Sequence, residues 1–310
     1  MKRLLAHLLW LCAAASPGDG RALTFPLTGD EVVGKAVTIA TRYEDTFVSL
    51  GKRFGVGFRE LTWANPGVLP WVPGEGTAVV IPTRFVLPAE DREAVVLNLA
   101  EFRLYHFLPE RGEVRTYPVG IGREGWQTPV TETRVTRVQP DPPWIPPESI
   151  RREHAAMGDI LPAVVPPGPD NPLGKYAVRL ALPGYLIHGT NKKIGIGMRV
   201  SHGCVRLDGP DIEEFAHSVR PGTPVRIVNE PVKAGWRGER LYLEVHPPLE
   251  EHGDAPPDPM RAIGEALARR PHLVVDVDWE KVRRLLELRH GVPEDVTLRL
   301  VKRLAQAGEP

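Results

Sequence analysis

The chain is poor in cysteine, with two in 310 residues, Cys12 and Cys204. Cys12 lies in an N-terminal segment typical of a secretory leader. A mature chain that keeps only Cys204 can form neither an intramolecular disulfide nor a cysteine-rich metal cage. A lone thiol in an exported protein is a small buried apolar side chain, an incidental surface group or a nucleophile.

The chain also lacks an excess of either charge. Cleavage of the leader after Ala15 would remove Lys2 and Arg3, leaving 39 minus 2 basic residues against 39 acidic ones, a net charge of −2. A near-neutral balance gives no electrostatic attraction to nucleic acid or to an anionic membrane surface. We therefore expect neither as a partner.

No apolar run is long enough to span a bilayer, so we expect no transmembrane segment in the mature chain. Residues 1–22 join a charged start, the apolar run Leu4–Leu11 and a small-residue cleavage region. This order predicts a signal peptide and an exported protein of the periplasm or cell envelope. A buried first helix of the mature fold is the alternative interpretation. Lipid attachment at Cys12 is disfavoured because the residues before it are bulky.

Proline, in contrast, is abundant, and its 33 residues are about twice the usual share of about 5%. Residues 93–229 hold short β-rich runs, so we expect a mainly β domain with few helices. Within it, residues 140–172 contain ten prolines. Because Trp144, Ile145 and Leu161 would be poorly solvated in a linker, this stretch is predicted to be a packed flap.

Residues 36–83 have the pattern of a small separate module. Val37–Ala40 is typical of a strand, two short helical stretches follow, and Ala78–Ile81 closes the unit as a second strand. The order strand, helix, helix, strand resembles a LysM domain, a module that binds N-acetylglucosamine-containing glycans. The alternative is a structural cap with no affinity for glycan. Residues 230–310 form a C-terminal subdomain whose role the sequence does not indicate.

The candidate chemistry centres on Cys204. It follows His202 and Gly203 directly, and a second His-Gly pair, His188-Gly189, ends a predicted strand upstream. His188 could take the thiol proton, with the Gly189 carbonyl fixing its tautomer.

Three further roles are open around the sulfur. Consecutive backbone N–H groups over residues 202–204 could form an oxyanion hole, since Gly203 permits a turn in which they converge. Arg206 could hold a substrate carboxylate or lower the pKa of the thiol. His188, His202 and Cys204 could instead ligate zinc, although their spacing is unusual for a zinc site and no fourth ligand is evident.

Two longer segments carry a family resemblance. Residues 183–190 and 195–207, which hold the His-Gly and Ser-His-Gly-Cys motifs, resemble the catalytic motif of the L,D-transpeptidases with a YkuD-type domain. Residues 120–129 and 168–174 also match segments usual in that family. With the LysM-like module, the resemblance covers about residues 36–230.

The resemblance implies a β-sandwich or barrel-like catalytic domain preceded by the LysM-like module. It makes Cys204 the nucleophile, His188 the general base and Gly189 its orienter, with no metal or organic cofactor. The remaining expected site residues are Ser201, His202 and Gly203 in the catalytic motif, and Arg206, Thr190 and Tyr185 for substrate binding.

The implied reaction is acyl transfer in peptidoglycan. Cys204 would attack the carbonyl of the third stem residue, expel D-Ala and pass the acyl group to an amine of a neighbouring stem or of an envelope protein. Carbapenem-type β-lactams would acylate the same sulfur. Expected partners are stem peptides, glycan strands and an envelope lipoprotein as acceptor. The alternatives are an L,D-carboxypeptidase or other hydrolase on the same scaffold, and a non-catalytic wall-binding protein.

Overall fold

The computed structural model describes residues 22–89, 92, 95–192, 194–249, 251 and 258–303. The predicted signal peptide, apart from Ala22, lies outside these residues. Within them, no helix is both long and apolar enough to cross a membrane.

The N-terminal part contains five short strands and two helices. They are β1 (Leu23–Pro26), β2 (Val32–Gly34), β3 (Val37–Ala40), α1 (Phe47–Phe54), α2 (Phe58–Ala64), β4 (Ala78–Ile81) and β5 (Arg84–Val86). The predicted strand–helix–helix–strand order is present in β3, α1, α2 and β4, and β3 pairs antiparallel with β4. The identity of this unit as a LysM module stays a prediction.

Capping residues at both ends of helix α1 determine where it begins and ends. Thr46 and Ser49 form a reciprocal capping box at the N-terminus, with hydrogen bonds of 2.9 and 3.1 Å. Gly55 ends the helix with a φ of 65°, a left-handed conformation that glycine adopts without strain. Phe47 and Leu50 on one face of the helix are fully buried.

The central part carries most of the β structure. Its elements are β6 (Val95–Asn98), β7 (Arg103–Leu108), β8 (Glu113–Pro118), β9 (Ile121–Gly122), β10 (Thr131–Pro140), α3 (Glu148–Ala156), β11 (Tyr176–Leu180), β12 (Leu186–His188), β13 (Arg199–Ser201), β14 (Val205–Arg206), α4 (Gly209–Ser218) and β15 (Pro224–Val228). A 3₁₀ turn at Pro109–Arg111 joins β7 to β8.

One curled nine-stranded sheet organises the described residues, in the order β1-β8-β7-β6-β15-β10-β11-β12-β14. Its pairs are antiparallel except β6 with β15 and β12 with β14. Both faces of its centre are covered. One face packs against Ile212, Phe215 and Ala216 of α4, as their helical spacing predicts, and the other packs against α1 and α2. The mainly β fold class is therefore confirmed.

The C-terminal part adds its own small core. Its elements are β16 (Val232–Arg237), β17 (Arg240–Val245), α5 (Pro259–Arg269), β18 (Leu273–Val277), α6 (Trp279–Leu288), β19 (Glu294–Asp295) and β20 (Thr297–Arg303). Trp236 is fully buried in this core, and its indole N–H donates to the Ala266 carbonyl at 2.7 Å.

Buried charges join these parts to the central sheet. Arg103 of β7 is fully buried and donates to both carboxylate oxygens of Glu60 in α2 at 2.9 Å. Lys233 of β16 lies 2.8 Å from Glu101 and 3.2 Å from Glu244. Removing one member would leave an uncompensated buried charge, which is strongly destabilising. The N- and C-terminal parts are thereby fixed against the central sheet.

Candidate active site

Strand alternation places the candidate residues on one face of the sheet. Ile187 of β12 and Val205 of β14 lie side by side in the core. Successive side chains point to opposite faces, so His188 and its register partner Arg206 point away from the core. Cys204, directly before β14, lies on that same outer face.

This face forms the floor of a cavity of about 660 Å³. His188, Cys204 and Arg206 line it. Residues 140–172 supply the opposite wall, with Trp144, Ile145, Pro147 and Ile150 among the lining residues. The size and the mixture of apolar walls with a few polar groups are typical of a small-ligand or peptide site.

His188 is held in one tautomer. It is buried, and its Nδ1 donates to the Gly189 carbonyl at 2.6 Å, which leaves Nε2 as a proton acceptor. Burial, followed by the positive charge of Arg206, lowers the pKa of His188 to about 4. The imidazole is therefore neutral at physiological pH.

Cys204 is a free thiol with a raised pKa. Burial causes the shift, and the Leu186 backbone and the Arg206 guanidinium oppose it. The sulfur lies 3.6 Å from the Gly184 carbonyl, to which the S–H donates. The resting site therefore pairs a neutral thiol with a neutral imidazole, so nucleophilic attack requires a proton to pass from sulfur to base.

The segment before the sulfur is tightly constrained. Gly203 has a φ of 100°, and a Cβ there would lie 2.8 Å from the Tyr185 ring. The Ser201 hydroxyl accepts from the Gly203 N–H at 3.2 Å and donates to the Cys204 carbonyl. The Thr128 hydroxyl donates to the Gly203 carbonyl at 2.8 Å. These bonds fix the direction of the peptide groups beside Cys204.

His202 belongs to a second cluster at the edge of the cavity. Its Nε2 lies 2.9 Å from Glu153 of α3 and 3.0 Å from Arg123, and Glu153 also pairs with Arg123. The Trp126 ring meets the imidazole edge-on, with centroids 4.8 Å apart. Glu153 thus links residues 140–172 to the segment that carries Cys204.

We expect Glu153→Gln to lower kcat/KM by about two- to fivefold, because a partly exposed ion pair contributes modestly and the amide keeps the side-chain shape. Steady-state kinetics at constant pH would measure the change. Glu148→Gln on the same helix is the matched control, since Glu148 is exposed, lies near Arg152 and does not line the cavity. Equal losses in both variants would show that the Glu153 contact does not position the site.

The expected substrate-binding residues lie in different places. Arg206 and Tyr185 line the cavity, and the buried Nε of Arg206 has no hydrogen-bond partner among the described residues. Thr190 lies in the turn after β12, where its hydroxyl accepts from the Lys192 N–H at 3.1 Å, and it is not among the residues that line the cavity.

Sequence reasoning missed Thr128, Arg123 and Glu153. Thr128 and Arg123 lie in the 120–129 segment that the resemblance singled out, but no pattern there indicated a role for either. No sequence pattern pointed to Glu153, because its helix lies inside the proline-rich stretch and its partner, His202, is 49 positions away.

Potential metal ligands gather elsewhere in the described chain. Ligand atoms of Glu101, Glu244 and His246 lie within 4.8 Å of one another, and the Lys233 ammonium pairs with both carboxylates. His188, His202 and Cys204 form no such group. The zinc alternative therefore gains no support from the geometry.

Comparison with known proteins identifies the family. The solved catalytic domain of an Enterococcus faecium L,D-transpeptidase is 17% identical, with a TM-score of 0.34 over 45% of this chain and 99% of that one. The model of the YkuD L,D-transpeptidase catalytic domain matches residues 92–227. The probable L,D-transpeptidase YcfS of Escherichia coli K12 is 40% identical over 95% of this chain and 94% of its own length. The probable L,D-transpeptidase ErfK/SrfK of Salmonella typhimurium is 39% identical, over 89% and 92%. The chain belongs to the L,D-transpeptidase family.

Proposed function

We propose that this L,D-transpeptidase acts on peptidoglycan, with Cys204 as nucleophile and His188 as general base. The observation that carries the assignment is the state of His188. Its Nδ1–H is tied to the Gly189 carbonyl, and its low pKa keeps Nε2 free to accept a proton. A neutral base and a thiol that line one cavity suit acyl transfer through a thioester.

In the first step, the Cys204 proton passes to Nε2 of His188 while the sulfur attacks the carbonyl carbon of the third stem residue. Backbone N–H groups of residues 202–204 stabilise the developing oxyanion. The Gly203 N–H already donates to Ser201, so the neighbouring N–H groups of His202 and Cys204 are the remaining donors. The tetrahedral intermediate then collapses, the imidazolium returns its proton to the departing D-Ala nitrogen, and a thioester remains.

In the second step, an amine attacks the thioester and the sulfur leaves as a thiol once the amine proton has passed through His188. The amine of a neighbouring stem gives a 3→3 cross-link, and a lysine of an envelope protein gives a protein anchored to the wall. Water in place of the amine would make the enzyme an L,D-carboxypeptidase.

Incubation of the mature protein with tetrapeptide muropeptides, followed by mass spectrometry of the products, tests this proposal. Loss of D-Ala with formation of dimers supports transpeptidation. Monomeric tripeptide alone would assign the enzyme as a hydrolase. A lysine-containing acceptor peptide added in a parallel reaction tests protein anchoring.

We also propose that the β3–α1–α2–β4 unit binds glycan. Its support is an exposed aromatic surface in the loops that flank the helices, where Tyr43 is 84% and Trp71 51% exposed. Trp71 packs against Phe58 with ring centroids 5.3 Å apart, which fixes its orientation. Rigid exposed aromatics of this kind commonly carry binding energy.

We expect Trp71→Ala to weaken binding to isolated peptidoglycan by at least about fivefold, because Trp is among the residues whose truncation costs most in binding sites. Co-sedimentation with purified sacculi would measure it. Trp279→Ala is the control, since Trp279 is similarly exposed but lies in α6. Equal binding by the Trp71→Ala variant and the unmodified protein would refute the assignment.

We infer further that the protein works outside the cytoplasm, in the periplasm or cell envelope. The leader-like pattern of residues 1–22 supports this location, as does the wall polymer proposed as its substrate. A fusion of residues 1–22 to a reporter that is active only after export would test it.

A further inference from the structure

Besides Cys204 and Arg206, the cavity floor carries a second cationic side chain, that of Arg179. Arg179 of β11 is the register partner of Leu186 in β12. Leu186 lies beside Cys204, one position before the Ile187–Val205 pair. Arg179, Leu186 and Cys204 thus form one row across three strands, and all three line the cavity. Neighbouring strands lie about 4.8 Å apart, so the backbones of Arg179 and Cys204 are roughly 10 Å apart.

The described residues that line the cavity include no Asp or Glu. The ionisable groups that face it are the guanidinium groups of Arg179 and Arg206, the imidazoles of His188 and His202, the Tyr185 phenol and the Cys204 thiol. Burial lowers the pKa of both histidines. At neutral pH, the fixed charge of the lining is therefore positive and comes from two arginines.

Neither arginine forms an ion pair with a described residue. Nε of Arg179 donates to the neutral amide oxygen of Gln139 at 3.3 Å, and the buried Nε of Arg206 has no hydrogen-bond partner there. A guanidinium group matches a carboxylate with two parallel hydrogen bonds. Two such groups on one floor, beneath an apolar wall of Trp144 and Ile145, suit a ligand with two carboxylates.

Resting on the function proposed above, we infer that Arg179 is a specificity-determining residue that binds a second carboxylate of the donor peptide while Arg206 binds the first. The substrate class is an acidic stem peptide whose side carboxylates are free rather than amidated. Extended peptide advances at most 3.3–3.6 Å per residue, so a carboxylate up to about three residue lengths from the scissile carbonyl reaches Arg179.

Three synthetic tetrapeptide donors test this inference. One has every carboxylate free, one carries an amide on the α-carboxyl of the second residue, and one carries an amide on the side-chain carboxyl of the third. D-Ala release would be measured as kcat/KM for the full-length mature enzyme and for Arg179→Gln, Arg179→Lys and Arg137→Gln. Arg137 lies opposite Arg179 on β10 and does not line the cavity, so it is the matched control.

We expect the unmodified enzyme to prefer the free-acid donor over one of the amidated donors by about tenfold, the scale of a charge-assisted hydrogen bond. Arg179→Gln should bring the free-acid donor down to the level of that amidated donor without lowering the latter. Arg179→Lys should restore part of the preference, and Arg137→Gln should retain it.

Equal turnover of all three donors by the unmodified enzyme would overturn the inference while leaving the proposed function intact. An equal loss on every donor in Arg179→Gln would also overturn it, because the residue would then act on the site as a whole. Absence of turnover on every donor would overturn the proposed function and this inference together.

Discussion

The Cys204→Ala variant is expected to lose at least about 10⁴-fold in kcat for acyl transfer, because loss of the nucleophile removes the covalent pathway and leaves only binding and oxyanion stabilisation. Chromatographic analysis of D-Ala release from a tetrapeptide donor would measure the loss. Cys204 is only partly buried and its side chain is small, so the variant should remain folded.

Two controls make this result specific. The thermal midpoint of Cys204→Ala should stay within a few degrees of that of the unmodified protein, which separates loss of chemistry from loss of fold. Cys204→Ser keeps the shape but offers a far weaker nucleophile, so it should be nearly as inactive. Retention of activity in the alanine variant would assign the nucleophile to another residue.

Replacing His188 by glutamine is expected to lower kcat/KM by about 10³-fold or more, on the scale of general-base loss. Burial raises the pKa of the Cys204 thiol, so the sulfur depends on a base to become nucleophilic. Steady-state kinetics would show the fall. His217→Gln is the matched control, since that exposed imidazole bonds to the Tyr176 hydroxyl and does not line the cavity.

The pH profile distinguishes the role of His188 from a structural one. Because its pKa is lowered to about 4, His188 is neutral above that pH, and kcat/KM should stay level near neutrality and fall only as pH approaches 4. A site that depended on an imidazolium would instead lose activity as pH rises through 4. His188→Gln should lack the acidic fall.

The lowered pKa of His188 also affects the stability of the folded protein. In the unfolded chain His188 has its ordinary pKa near 6.5, so between pH 6.5 and 4 the unfolded state binds a proton that the folded state does not. His188 therefore destabilises the fold progressively as pH falls through that window. His106, whose pKa burial also lowers to about 4, acts in the same direction. Activity at pH 4 to 5 should accordingly be measured in short assays.

The sequence predicted the elements whose determinants are local. The apolar spacing of Ile212, Phe215 and Ala216 after Pro210 predicted the buried face of α4, and the short apolar run that ends at His188 predicted β12. The motif around Cys204 led to the L,D-transpeptidase family, which the similarity to YcfS and ErfK/SrfK confirms.

The missed features depend on contacts between distant positions. Helix α3 lies inside a proline-rich stretch that masks its pattern, and its Glu153 finds His202 only in the fold. Lys233 is buried between Glu101 and Glu244, the former 132 positions away. Arg179 lies two strands from Cys204 only because β11, β12 and β14 are neighbours in the sheet. The pattern of a single sequence does not show which distant residues come into contact.

Intact-protein mass spectrometry after acid quenching, with a tetrapeptide donor and no acceptor, tests directly whether Cys204 forms a thioester with the donor. We expect an adduct with the mass of the donor minus D-Ala, carried by the peptide that contains Cys204 and absent from Cys204→Ala. An adduct on any other residue, or one that persists in Cys204→Ala, would contradict it.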